Sequence, residues 1–257
     1  MLSDAAAVRQ QYQNADRLNT RISIHDRYSV NKTGFGNWIF SNYRFAPGMR
    51  VLEAGCGTGS MWRGKEEYIR LCGEIVLSDL SEGMLEAARQ NVGAHENVSF
   101  AAVDVQAIPY PSQSFDAVIA NMMLYHVPDL EKALSQVRRV LKAGGRFYCA
   151  TYGEHGIQEF LSDALAACGV ENRLNRAFTL QNGEGILKRH FSNVERLDYL
   201  DSLAVTDVND MVDYVCSLTG MTTLKQVPRA EIRAALQRRM RDGVLHVPKE
   251  YGMFIAS

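Results

Sequence analysis

Glu53-Ala54-Gly55-Cys56-Gly57-Thr58-Gly59 follows directly on the apolar run Arg50-Val51-Leu52 and opens a segment of helical character. Glycines at alternate positions let a chain leave a strand in a sharp turn. They also let a ligand press against main-chain N–H groups where any Cβ would clash. A strand, such a loop and a helix in that order open a βαβ unit, and the loop is read as one built to hold a cofactor. The dinucleotide fingerprint G-x-G-x-x-G would need glycine at position 60, where Ser60 stands. The pattern found instead, G-x-G-x-G with Glu53 two residues ahead of its first glycine, disfavours a nicotinamide cofactor.

On either side of this loop the alternation continues. Short β-branched runs predict strands at 50–53, 75–79, 98–102, 115–121 and 146–152, with helices filling the gaps. One helix is announced by Ser81 as its N-cap and turns Met84, Leu85 and Ala88 inward. Another is capped by Asp129, carries Leu130, Ala133, Leu134, Val137 and Leu141 on one face, and ends at Gly144-Gly145. Further on, 194–200 and 251–256 read as strands six and seven, forming an antiparallel pair, with helices at about 207–218 and 228–241 between them. The expected architecture is a Rossmann-like α/β fold: a seven-stranded, mostly parallel sheet with an antiparallel last strand and helices on both faces. Without an internal repeat or a low-complexity linker, residues 1–257 are expected to form one domain. Its parts are an N-terminal helical cover (1–48), a cofactor-binding core (49–152) and substrate-side helices with the last two strands (153–257).

Asp79 ends the second strand, where an open α/β sheet can present a carboxylate to the two hydroxyls of a ribose. Asp104-Val105 follows the third strand at the same edge, placed for a carboxylate to accept a bond from an adenine amino group. Taken singly, each aspartate reads as a helix cap. Taken together and in register with the loop, the three segments describe a site for one nucleoside.

These segments resemble the class I S-adenosylmethionine-dependent methyltransferases, in particular the small-molecule branch called type 11 or ubiquinone/menaquinone-methyltransferase-like. The likeness covers about residues 49–152. It runs through Val51–Gly59, Ser78–Leu85, Asp104-Val105 with Ile108-Pro109, Phe115–Val118, Leu124–Val127 and Arg138–Arg146. The resemblance implies S-adenosyl-L-methionine as cofactor and S-adenosyl-L-homocysteine as product. By it, Gly55, Cys56 and Gly57, flanked by Glu53 and Gly59, lie against the methionine part, and Asp79 holds the ribose. Leu80 and Met84 flank the adenine, Asp104 and Val105 meet its edge, and Asn121 with Met122 offers backbone contacts near the sulfonium. Two departures, Gln136 for the glutamate that usually faces Arg139 and Ala143 for the usual proline, fall away from the cofactor residues and bear on helix pairing.

Composition narrows the partners. The 257 residues are 46% hydrophobic and 22% charged, with a net charge of -1, so the chain lacks the global basic field that sequence-independent phosphate binding uses. The fourth strand ends in Asn121-Met122-Met123-Leu124 rather than the Asn/Asp-Pro-Pro-aromatic element of base-amino methylases. Both observations place a nucleic-acid methyltransferase behind a small-molecule one. Five cysteines with no C-x-x-C pair predict neither a disulfide framework nor a structural zinc, and no metal is expected. The most apolar stretch, Val118 to Tyr125, falls far short of the ~20 residues of a membrane span. With no signal-like segment at Met1–Ala5, the expected location is the cytoplasm, with no membrane partner, as a monomer or homodimer.

His126 is the single candidate for a general base, set against the commoner role of a junction histidine as a hydrogen-bonded structural group. Tyr12, His25, Tyr28, Trp38 and Trp62 either line an acceptor pocket or pack the N-terminal helices on the sheet, with packing the commoner fate of aromatics. Arg229, Arg233, Arg238, Arg239 and Arg241, balanced by Glu231 and Asp242, read as a solvated helix face. The competing reading from another class is a cofactor sensor or inactive partner subunit, which would keep the glycine loop and Asp79 and lack turnover.

Overall fold

In the computed structural model, residues 23–170, 174–218 and 227–257 are described. Arg50–Ala54 forms β1, with every residue after Arg50 buried. Glu74–Asp79 forms β2, Val98–Ala102 β3, Phe115–Ile119 β4, Leu141–Tyr152 β5, Val194–Val205 β6 and Leu245–Ala256 β7. The strands make a single sheet of order β3-β2-β1-β4-β5-β7-β6. β1 to β5 pair in parallel, and β7 is antiparallel to both of its neighbours, as the sequence pattern predicts. The reversal from β1 outward, to β2 on one side and β4 on the other, is where open α/β sheets form a crevice.

Alternate residues of the strands feed two cores. Leu52, Val76 and Val118 point to one face, covered by Leu130–Val140 (α4) and Gly183–Leu187 (α6). Val51, Ile75, Leu77 and Ile119 point to the other, covered by Phe35–Asn42 (α1), Glu66–Leu71 (α2) and Glu82–Val92 (α3). Ser81 caps α3, accepting from the Met84 N–H at 3.4 Å, and Asp129 caps α4, accepting from the Lys132 N–H at 3.0 Å. Met84, Leu85, Ala88, Ala133, Leu134 and Val137 are buried as their spacing predicts, whereas Leu130 is only partly covered.

The Gln136 departure costs the fold little. Its Oε1 accepts from Arg139 at 2.8 Å, and Arg139 also donates to the carbonyls of Ile108 and Tyr110 at 2.8 and 2.7 Å, pinning that segment to α4.

β6 and β7 run well past the ends of the other strands. Tyr199, Tyr251 and Tyr152 are level, and Tyr152 is the last residue of β5. Beyond them the hairpin continues from Leu200↔Glu250 to Val205↔Leu245. Those six rungs, at roughly 3.3 Å each, carry it about 20 Å above the sheet edge. Around this overhang gathers a third core, from Ile157–Ala164 (α5), Val208–Ser217 (α7) and Arg229–Gln237 (α8), with Leu203, Val205, Leu245, Val247 and Ile24.

Of the expected N-terminal cover, residues 23–28 are helical and α1 follows at Phe35–Asn42; residues 1–22, including Tyr12, lie outside the described residues. Among the described residues no helix is long and apolar enough to cross a membrane.

Candidate functional site

Ala54 hands the chain to the glycine loop at the C-terminal end of β1. Gly55, Gly57 and Gly59 all take positive φ, at 70°, 56° and 67°. Each has a different reason to lack a Cβ. At Gly59 a Cβ would sit 2.9 Å from Val92 Cγ2 and 3.1 Å from Ala88 Cβ, so this glycine lets the loop lie against α3. At Gly55 it would sit 2.9 Å from Met123 Cγ. At Gly57 nothing stands within 4 Å: the loop is open there, on the side where a ligand can reach main-chain N–H groups.

One expectation needs correction. The loop does not open directly into an α-helix: Ser60–Trp62 is a single 3-10 turn, Gly64 breaks it at φ 72°, and α2 begins only at Glu66. The electrostatics of the loop therefore come from its own N–H groups and from Asp79, not from the terminus of a long helix.

Asp79, last in β2, faces the loop. Its Oδ2 accepts the Gly57 N–H at 3.0 Å and its Oδ1 accepts the Ser81 N–H at 2.9 Å. Burial raises its carboxyl above the ordinary value, and the N–H bonds from Ser81, Gly57 and Leu80 oppose the rise. The Cys56 N–H donates to the Ser78 carbonyl at 2.8 Å, a second tie between loop and β2. Cys56 itself turns its side chain into the core beneath α1 and α3, where burial pushes the thiol well up; only its main chain is available to a ligand.

Glu53 is 2% exposed, and its Oε2 accepts the Trp62 indole N–H at 2.5 Å. Burial pushes its carboxyl up to about 7, the indole bond opposes that, and Asp79 adds to it. Trp62, 2% exposed, thus belongs to the core beneath the loop rather than to an acceptor pocket.

Asp104 follows β3 and caps the single turn Val105–Ala107. It accepts the Gln106 N–H at 2.8 Å and the Gln106 side-chain amide at 3.1 and 3.2 Å. Gln106, which sequence reasoning passed over, links on to the Asp129 N–H at 3.0 Å. Three of the roughly four lone-pair positions on the Asp104 carboxylate are therefore directed to Gln106. Val105 and Met84 are buried, while Leu80 is half-exposed at the rim.

Past β4, Asn121 is held at both ends: its amide donates to Tyr43 Oη at 2.6 Å and its Oδ1 accepts the Ala150 N–H at 3.3 Å. Tyr43 is the second residue the sequence reading missed; it is one of a row of aromatics with no motif to single it out. Met122 carries φ 54°, a conformation few non-glycine residues adopt, and such outliers gather at functional sites. The strained turn aims Met123 across Gly55. His126 closes the turn Leu124–His126, its ring 4.5 Å from that of Tyr125. Glu53, Gly55, Cys56, Gly57, Gly59, Asp79, Leu80, Asp104, Asn121, Met122 and His126 thus lie at or beyond the C-terminal ends of β1 to β4, along one sheet edge.

Residues 52–149 match the model of a family described as a methyltransferase domain. This stretch of the chain is similar to methyltransferase domains. Over 134 residues, 52% of the chain and 54% of the relative, it is 33% identical to the demethylmenaquinone methyltransferase of Staphylococcus aureus. Over 102 residues, 38% of either protein, it is 36% identical to a ubiquinone/menaquinone biosynthesis C-methyltransferase of Pasteurella multocida. The chain spans about half the length of the curated relatives it matches. Across nearly its whole length the fold is that of the crystal structure of the [4+2]-cyclase SpnF, with TM-score 0.61, 19% identity, and 98% and 96% of the two chains covered.

The cofactor that goes with a methyltransferase domain is S-adenosylmethionine, and the residues present fit it. The open face of Gly57 and the adjacent Asp79 carboxylate can take the methionine part and the ribose. Leu80 at the rim offers apolar cover for a base.

Proposed function

We propose that the protein transfers a methyl group from S-adenosylmethionine to a nucleophilic O, N, S or C atom of a small molecule, leaving S-adenosylhomocysteine. The observation that carries this reading is the glycine loop. Its central residue is open on one side, tied by its N–H to the Asp79 carboxylate, and set in a stretch that matches the model of a methyltransferase domain. The names of the two relatives favour a quinone-class acceptor methylated at carbon.

When bound, the sulfonium supplies an already activated methyl, so the protein's work is placement. Holding acceptor and donor in line can remove roughly 7–11 kcal/mol of barrier. The loop and Asp79 fix the donor end. Asn121, locked between Tyr43 and Ala150, and the strained Met122 fix the backbone on which the methyl is presented. His126, beyond the end of β4, is the side chain we assign to accept a proton from an acceptor that must lose one. That step contributes about 10²–10⁴-fold where it is needed.

Isothermal titration with S-adenosylmethionine and S-adenosylhomocysteine tests the reading, and no binding at millimolar concentration would remove it. Formation of S-adenosylhomocysteine with reduced demethylmenaquinone separates an enzyme from a cofactor sensor.

A further inference from the structure

Residues 23–28 form a helical turn laid over the overhanging hairpin, followed by a strap: Ser29 bridges Leu203, and the Val30 N–H donates to the Ser202 carbonyl at 2.9 Å. Within that turn His25 sits edge-on to two rings, Tyr251 at 5.9 Å and Tyr214 at 6.1 Å. Its Nδ1 is sealed from solvent and has no hydrogen-bond partner among the described residues. Burial, and then the nearby Lys249 ammonium, hold its pKa down at about 3, so the ring is neutral.

The neighbouring ions are already committed. Lys249 and Asp201 pair with each other, their side chains 2% and 0% exposed. Lys249 also donates to Ser29 Oγ at 2.8 Å, and Asp201 Oδ1 accepts the N–H groups of Asn31 and Ser202 at 2.9 and 2.8 Å. A buried ring nitrogen left over in such surroundings is a group whose partner is missing.

The position of His25 indicates what that partner is. Tyr251 is cross-strand to Tyr152, and the Tyr152 ring lies 4.6 Å from that of Tyr125, two residues beyond the Met123 that covers Gly55. Rings thus lead from beyond β4 to His25, with the step from Tyr152 to Tyr251 made by their cross-strand pairing. In the sheet, β7 stands two places from β4, about 10 Å at roughly 4.8 Å per strand. His25 lies one ring beyond Tyr251 of β7, which places it away from the β4 end as a group that meets the far end of a bound molecule rather than a base at the reacting atom.

We infer that His25 is a specificity-determining residue for the methyl acceptor: its Nδ1 accepts a hydrogen bond from a hydroxyl at the far end of an uncharged, planar aromatic molecule. The inference rests on the methyl-transfer reading. The acceptor is uncharged because the two ions that act on His25, Lys249 and Asp201, already satisfy each other. It is planar because Phe35, 5.2 Å from both Tyr199 and Tyr251, extends the wall of rings.

The test uses the full chain saturated with S-adenosylhomocysteine, whose own binding is measured first. Titration calorimetry then compares 2,6-dihydroxynaphthalene with 2,6-difluoronaphthalene, the same fused ring with substituents close in size to hydroxyl that cannot donate a hydrogen bond. The wild type is expected to prefer the diol by about tenfold or more, the worth of one buried hydrogen bond. His25→Phe loses the preference, and His25→Asn, whose Oδ1 takes the place of Nδ1, keeps most of it. Equal affinity of the wild type for the two probes, no binding of the diol, or an undiminished preference in His25→Phe overturns the inference. If only the Phe variant fails to bind S-adenosylhomocysteine, His25→Asn decides by whether the preference survives in it. Failure of the wild type to bind S-adenosylhomocysteine sinks the methyl-transfer reading itself.

Discussion

Gly57 and Gly59 are two residues apart, share a left-handed backbone and predict opposite phenotypes on substitution by alanine. At φ 56° and 67° both substitutions carry the penalty of an L-residue in the left-handed region, about 1–2 kcal/mol. At Gly59 the new methyl also meets Val92 Cγ2 at 2.9 Å and Ala88 at 3.1 and 3.2 Å. Overpacking of that kind adds ~1–3 kcal/mol, so Gly59→Ala should destabilise by roughly 2–5 kcal/mol in total. At Gly57 the methyl meets no protein atom, so stability falls only by the backbone penalty. The methyl does occupy the space assigned to the cofactor; the same ~1–3 kcal/mol, now charged to the complex, weakens S-adenosylhomocysteine binding roughly 5- to 150-fold. Urea unfolding reads the first quantity and titration calorimetry the second. A Gly57→Ala protein that binds S-adenosylhomocysteine with wild-type affinity would refute the placement of the cofactor against this loop.

Three further outcomes follow from the same geometry. Glu53 has a folded-state pKa of about 7 against an ordinary 4.5, so between these values the folded protein holds more protons than the unfolded one and stability declines as pH rises, by up to about 3 kcal/mol. Glu53→Gln, which can still accept from Trp62, should abolish that decline in urea titrations at pH 5, 6, 7 and 8; an identical slope in both proteins refutes it. Lys249→Met leaves Asp201 buried without its counter-ion and should cost ~3–5 kcal/mol, whereas Lys249→Met with Asp201→Asn, which keeps an acceptor for the Asn31 and Ser202 N–H groups, should recover most of the loss in a double-mutant cycle. Asp79→Ala removes the acceptor of the Gly57 N–H and the proposed ribose ligand, so affinities for S-adenosylmethionine and S-adenosylhomocysteine should fall together by about tenfold or more; unchanged affinity would show that Asp79 only braces the loop.

The first three strands, the caps Ser81 and Asp129, and the loop were legible because each is a local signal: a buried run, a side chain that bonds three residues on, glycines where φ is positive. The rest depended on distant partners. Lys142 to Gly145 reads as a helix terminus and turn, yet β5 already begins at Leu141, because Leu141 pairs with Phe115 before an irregularity shifts the register. The sequence pattern predicts only about half the length of β6 and β7, since Asp201, Pro248 and Lys249 look unlike strand residues. There the two charges neutralise each other across the hairpin, and Pro248 is tolerated because β5 has ended and β7 lacks a neighbour on that side. Asp79 at the end of β2 and Asp104 just after β3 stand where the strand pattern predicts them. That one braces Gly57 and the other turns to Gln106 is set by loops meeting in space, which no spacing encodes.

The hairpin that overshoots the sheet has a mechanical consequence. Because β6 and β7 pass without a break from the lower cores into the upper one, the helical cap built on them is a cantilever whose root is the sheet itself. Swinging it aside would mean tearing rungs of the ladder. The covering segment that carries His25 and Phe35 is joined to this cantilever by separate contacts rather than by a shared ladder: strap bonds to Ser202 and Lys249, the Arg27–Asp210 pair and the rings around Tyr251.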